Sequence, residues 1–193
     1  MFQIRIHGRG GQGVVTAAEM LSLAAFTEGH FAQAFPSFGS ERTGAPVMAF
    51  ARIDDKEIRL REPIVEPDAV LVQDRTLLHQ VDVFQGLSPQ GYVLINSSHS
   101  IAELGLDDLV ERLPRGRVML VPATQFAMQY IGRPLPGAAL LAGFAAMSGK
   151  ISLASVQAAY GERFAGKIAQ ANADVAQAAF DFVQKEIEGA THA

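Results

Sequence analysis

The chain has 193 residues, 49% of them hydrophobic and 19% charged, and a net charge of −4 from 16 Lys and Arg against 20 Asp and Glu. That length supports a substantial core, and an acidic balance without any basic run gives no footing for a nucleic-acid binder. Cysteine is absent, which excludes a disulfide framework, thiolate ligation of zinc or iron–sulfur within this chain, and a cysteine nucleophile.

Phe2, Ile4 and Ile6 alternate with Gln3, Arg5 and His7, the period of a strand. The run Gly8-Arg9-Gly10-Gly11-Gln12-Gly13 follows as a glycine-rich turn. Val14, Ala17, Ala18, Leu21, Ala24 and Ala25 recur at helical spacing and predict a helix over 14–28, stopped by Gly29. A second strand is predicted over 31–35, ended by Pro36. The stretch 36–46 is rich in breakers and reads as an ordered loop. A hairpin is predicted next, with arms over 47–53 and 57–60 and a turn at Asp54-Asp55.

After Pro67 a strand–helix alternation resumes. Ala69-Val70-Leu71-Val72 is a continuous apolar strand, the pattern of a sheet covered on both faces. A helix over 75–84, strands over 92–95 and 117–121, and a helix over 123–131 follow. The last third is helical: 137–147 is almost wholly apolar, 152–160 starts at a plausible Ser cap, and 169–187 is a long amphipathic helix. The fold class is α/β, a Rossmann-like, mostly parallel sheet flanked by helices, with an inserted β-hairpin and a helical C-terminal third. Residues 1–193 form a single domain on this reading. No apolar run approaches the ~20 residues of a membrane span, and the chain opens on a strand rather than a basic n-region, so a cytoplasmic protein with no membrane contact is expected.

Gly8-x-Gly10-x-x-Gly13 between strand and helix is the context of a phosphate or dinucleotide fingerprint. Glycines allow close backbone approach, and the free N–H groups of the helix start attract an anion. Arg9 adds a positive charge. The same glycines also serve a plain tight crossing from strand to helix. A conventional NAD site is disfavoured, because the second strand ends in Phe35-Pro36-Ser37 without the ribose-binding acid. The loop carries Glu41 and Arg42 among small residues, suited either to a ligand or partner or to a rigid connection. His7, beside the turn, either touches a ligand or caps local structure. Asp74 stands at a carboxyl strand end, where it is placed to meet a ligand or to cap the next helix. The five histidines show no metal-ligand spacing.

Gly8-Arg9-Gly10-Gly11-Gln12-Gly13 combined with Pro36-Ser37-Phe38-Gly39-Ser40-Glu41-Arg42-Thr43-Gly44-Ala45-Pro46-Val47 resembles the gamma subunit of the thiamine-dependent 2-oxoacid:ferredoxin (acceptor) oxidoreductases, most closely the pyruvate type. The resemblance continues through Phe50-Ala51-Arg52-Ile53, Pro67-Asp68-Ala69-Val70 and Asp74, and thins in the second half. There the family's Asn-Met-containing helix is replaced by Gly137-Ala138-Ala139-Leu140-Leu141-Ala142-Gly143-Phe144. The resemblance implies a subunit, not active alone, of an enzyme that oxidatively decarboxylates a 2-oxoacid to acyl-CoA and carbon dioxide and passes electrons to ferredoxin or another acceptor. It implies thiamine pyrophosphate with Mg2+ and 4Fe–4S clusters in partner subunits: the thiamine-binding alpha and beta subunits, a ferredoxin-type iron–sulfur subunit, and in some assemblies a flavin subunit. It assigns this chain the shielding of the active site and a contact with coenzyme A. On this basis Gly8, Arg9, Gly10, Gly11, Gln12 and Gly13 are the candidate cofactor-binding residues, with Arg9 assisting the backbone. Ser37, Phe38, Gly39, Ser40, Glu41 and Arg42 are the candidate residues facing the catalytic subunits. No catalytic residue and no metal ligand is assigned. A stand-alone nucleotide-binding protein is the alternative.

Overall fold

The computed structural model describes residues 1–37 and 43–191. Among them six strands form one sheet in the order β2-β3-β1-β4-β5-β6. They are β1 Phe2–Arg9, β2 Phe31–Pro36, β3 Pro46–Asp54, β4 Ala69–Val72, β5 Tyr92–Asn96 and β6 Val118–Val121. β1, β4, β5 and β6 run parallel, whereas β3 pairs antiparallel with both β1 and β2. The helices are α1 Val14–Thr27, α2 Asp107–Arg112, α3 Ala123–Tyr130, α4 Gly137–Ser148, α5 Leu153–Arg163 and α6 Gly166–Thr191.

The alternation of side chains along the strands divides the core into two layers. Ile4, Ile6, Ala69, Leu71, Leu94 and Val121 point to one face and pack with α1, α4, α5 and α6. Val70, Val72, Val93 and Ile95 point to the other and meet Leu77, Val83, Leu104, Leu109 and Leu113. Because both faces of β4 and β5 are covered, their middles read as unbroken apolar runs. α4 lies deepest, with every residue from Gly137 to Ala145 buried.

Two local expectations are corrected. Residues 57–60 do not form a strand. Both hydrogen-bonding edges of β3 are already taken by β1 and β2, so no edge is left for them. The antiparallel hairpin is instead β2 with β3, joined across residues 37–45. The helix expected over 75–84 is only a 3-10 turn, Arg75–His79. Beyond it the carbonyls of Val83 and Gln85 accept from the Arg5 guanidinium at 2.9 and 2.6 Å instead of continuing a helix. α2, over Asp107–Arg112, was not expected.

Candidate functional site

The glycine turn lies at the carboxyl end of β1, where Gly10–Gly13 lead into α1. Gly11 and Gly13 hold positive φ angles of 92° and 74°, a region that favours glycine. Gly8 is required for space: a methyl group there would stand 2.5 Å from Val14 Cγ2 and 3.2 Å from Gln73 Cβ. Gly13 is the N-cap of α1 and offers no side chain to the helix start. The first bond of α1 runs from Ala17 N–H to the Gly13 carbonyl, at 2.9 Å. The amides of Val14, Val15 and Thr16 therefore precede the helical ladder. They border a cleft of about 250 Å³ lined by Arg9, Gly10, Gly11, Gly13 and Val47 as well. Unpaired amides at the positive end of a helix dipole are suited to an anion.

The side chains of the turn do something other than reach into that cleft. Arg9 donates to Asp74 Oδ2 at 3.2 Å, to Thr76 Oγ1 at 2.6 Å, to Gln80 Oε1 at 3.0 Å and to the Gly44 carbonyl at 3.0 Å. Gln12 Oε1 accepts from Arg9 N–H at 2.8 Å, and Gln12 Nε2 donates to Asp74 Oδ2 at 2.9 Å. Arg9 thus anchors the turn to the start of the 3-10 segment and to Gly44, with its charge already matched by Asp74. Asp74 also caps the 3-10 turn, accepting from Thr76 N–H at 3.0 Å. Burial opposes its ionisation, but hydrogen bonds from Thr76 and Gln12 and the Arg9 charge outweigh that and hold its carboxyl below the usual value.

The turn is also stitched to the end of the loop. Gly10 N–H donates to the Ala45 carbonyl at 2.9 Å and Gly44 N–H to the Gly10 carbonyl at 3.0 Å. Of the loop residues, Ser37 is placed, its N–H on the Met48 carbonyl at 2.8 Å. Phe38, Gly39, Ser40, Glu41 and Arg42 lie outside the described residues.

His7 faces away from the glycine cleft. It lines a separate cavity of about 380 Å³ on the opposite face of the sheet, with Arg5, Ser37, Met48, Val81 and Gln85. Burial, and then the neighbouring Arg5 charge, push its pKa down to about 4, so it is neutral at physiological pH. Its Nε2 and the Arg5 Nε have no hydrogen-bond partner. Sequence reasoning missed this pair, because an alternating strand reads as having one wet face. It missed the bracing role of Gln12 as well, which rests on a contact 62 residues away. Among the described residues no group of three or more His, Cys, Asp or Glu is placed to hold a metal ion, and no helix is long and apolar enough to cross a membrane.

The strand beside β1 on the β2 side is antiparallel β3, which begins rather than ends next to the glycine turn. The strand end that carries the ribose-binding acid of a dinucleotide site is therefore displaced from this position.

Comparison with known proteins agrees with this architecture. Residues 3–182 match the family model of pyruvate ferredoxin/flavodoxin oxidoreductase. The chain is 47% identical over 183 residues to the pyruvate/ketoisovalerate oxidoreductases common subunit gamma of Thermococcus kodakarensis, covering 94% of this chain and 96% of that one. It is 46% identical to the pyruvate synthase subunit PorC of Methanocaldococcus jannaschii, covering 96% and 99% of the two chains. The crystal structure of the pyruvate oxidoreductase subunit PORC of Thermotoga maritima superposes with a TM-score of 0.78 at 32% identity, over 93% of this chain and 95% of that one. With residues 3–182 matching the family model and nearly its whole length similar to these subunits, the chain belongs to the pyruvate ferredoxin/flavodoxin oxidoreductase family as a gamma subunit.

Proposed function

We propose that this chain is a non-catalytic gamma subunit, one domain over residues 1–193, working in the cytoplasm. In the complex it covers the active site of the thiamine-binding alpha and beta subunits and holds the diphosphate of coenzyme A. The whole enzyme converts a 2-oxoacid and coenzyme A to acyl-CoA and carbon dioxide, with electrons leaving through a ferredoxin-type subunit to ferredoxin or, where a flavin subunit is present, to another acceptor. Thiamine pyrophosphate with Mg2+ and 4Fe–4S clusters, carried by the partners, supply the decarboxylation and electron-transfer chemistry. This sequence has no cysteine to ligate such a cluster.

One observation carries the coenzyme A assignment: the amides of Val14, Val15 and Thr16 precede the first bond of α1 and open on a cleft whose glycine walls admit a close approach. A diphosphate placed there gains fixed dipoles that need no reorganisation. The chain's task is binding and orientation, so that the thiol end is delivered at the right distance to the partner's active site. The run 37–42 is proposed to face those partners, because together with the glycine motif it carries the resemblance to the family, and the neighbours that follow it, Thr43 to Ala45, are bonded to the glycine turn.

The assembled complex, purified with this chain tagged, tests the reading. Val15→Pro removes one amide donor in the first turn of α1, where no intrahelical hydrogen bond is lost. It is expected to raise the coenzyme A KM while leaving the 2-oxoacid KM unchanged; an unchanged coenzyme A KM rejects the cleft. The double change Phe38→Asp, Arg42→Glu is expected to weaken recovery of the partner subunits or lower the rate, and full assembly and rate reject the facing role. The chain alone is expected to give no acyl-CoA from any 2-oxoacid; NAD(P) binding by the isolated chain would support a stand-alone nucleotide-binding protein instead.

A further inference from the structure

We propose that Asp74 is a positioning residue for coenzyme A: through Gln12 and Arg9, its carboxylate sets the shape of the glycine turn and hence the direction in which the first amides of α1 point. The proposal rests on the coenzyme A reading above and adds a residue 62 positions away that never touches the ligand.

The turn has little to hold it by itself. Gly11 and Gly13 occupy the left-handed region and, as glycines, have wide alternatives. α1 begins without a side-chain cap. What closes the turn is Gln12, whose backbone N–H donates to the Arg9 carbonyl at 3.0 Å and whose Oε1 accepts from the Arg9 N–H at 2.8 Å. A glutamine amide can sit either way round. Its orientation is fixed here because Asp74 only accepts: Oδ2 takes Gln12 Nε2 at 2.9 Å, which turns Oε1 toward the turn. The same Oδ2 takes Arg9 Nε at 3.2 Å. Oδ1 is fully used by the Thr76 N–H at 3.0 Å and the Thr76 hydroxyl at 2.6 Å. Asp74 is therefore anchored from its own strand end on one side and braces the glycine turn from the other. Four donors meet two carboxylate oxygens, so an asparagine in this place must aim an N–H2 group at one donor pair in either orientation.

The test uses the purified complex. Asp74→Asn keeps the volume, and Gln12→Met keeps the length without the hydrogen bonds. Each is expected to raise the coenzyme A KM by about tenfold, the scale of one lost charge-assisted hydrogen bond. The 2-oxoacid KM, and kcat at saturating coenzyme A, are expected to stay within about twofold. Since Asp74 acts through Gln12, the double variant is expected to match the worse single one rather than multiply the two effects. Equal losses in kcat and in both KM values, or multiplicative effects in the double variant, overturn the positioning role. If Val15→Pro raises the coenzyme A KM and Asp74→Asn does not, the cleft stands and this proposal falls. If Val15→Pro has no effect, the cleft reading itself falls and takes the proposal with it. Should Asp74→Asn fail to assemble, Gln12→Met carries the same KM split alone, and an unchanged coenzyme A KM in that variant overturns the proposal.

Discussion

Arg5 and His7 stand two residues apart on one face of β1, both almost sealed from solvent at 6% and 7% exposure, and burial, reinforced by the Arg5 charge, keeps the imidazole neutral. The guanidinium is held by the carbonyls of Val83 and Gln85; burial lowers its pKa, and the charge of Asp82 works against that. His7 has no such compensation.

A pH dependence of stability follows. The unfolded histidine takes its proton near 6.5, the folded one only near 4. Between those values the unfolded state holds more protons, so stability falls as the pH drops through that window and this group contributes no slope above it. The full loss below pH 4 is on the order of 3 kcal/mol. Urea unfolding between pH 4 and 7 is expected to show the decline in the native chain and a flatter profile in His7→Gln. A His7 ring resonance that titrates above pH 6 contradicts this.

Arg5 works as a tie between β1 and the segment that crosses from β4 to β5. Arg5→Met strands two backbone carbonyls, of Val83 and Gln85, and is expected to cost about 2–4 kcal/mol. For a chain of this size that is a drop of roughly 5–15 °C in Tm. Arg5→Lys, with one ammonium in place of a planar fork, is expected to recover only part of it. Calorimetry of the three proteins decides the matter.

How far the fold was legible in the sequence varies with what each element depends on. β4 and β5 were plain, because strands covered on both faces are apolar throughout, as in Val70–Val72 and Val93–Ile95. α1, α4 and α5 announced themselves through spacing, Gly29 and the Ser152 cap. The partner of β3 was not legible: a period of two says which residues share a face but not which strand lies alongside, so residues 57–60 were assigned an edge that β1 and β2 already fill. The glycine turn was readable as a tight crossing from β1 to α1, but its bracing was not. Gln12 and Asp74 meet only because β1 and β4 are neighbours in the sheet, and nothing local to either residue encodes that.

Gly8 offers a steric test. Gly8→Ala is expected to destabilise by about 1–3 kcal/mol, because the added methyl meets Val14 Cγ2 at 2.5 Å. In a Val14→Ala background the severest clash is gone, and the same substitution is expected to cost clearly less than in the native chain. Equal costs in both backgrounds, read from urea midpoints at constant m-value, contradict the steric account.

The start of α5 ties the helical third to α1. Ser152 and Ser155 form a reciprocal cap, and the Ser152 N–H also donates to Glu28 Oε1, at the end of α1, at 2.7 Å. Ser152→Ala is expected to cost about 1 kcal/mol, measured by thermal unfolding. Ser152→Asp, which supplies another capping oxygen but sets it against Glu28, is expected to recover less than Ser152→Thr.

The depth of α4 gives the molecule an internal clock. Its middle, Leu140 to Phe144, lies between the sheet and α6 with no path to solvent, so its amide hydrogens exchange only when the whole chain opens. The amides of Val14 to Thr16 lie before the first bond of α1, so no intrahelical hydrogen bond protects them. Deuterium uptake at the first helix start, read against the silent fourth helix, therefore separates occupancy of the glycine cleft from any general tightening of the fold within a single measurement.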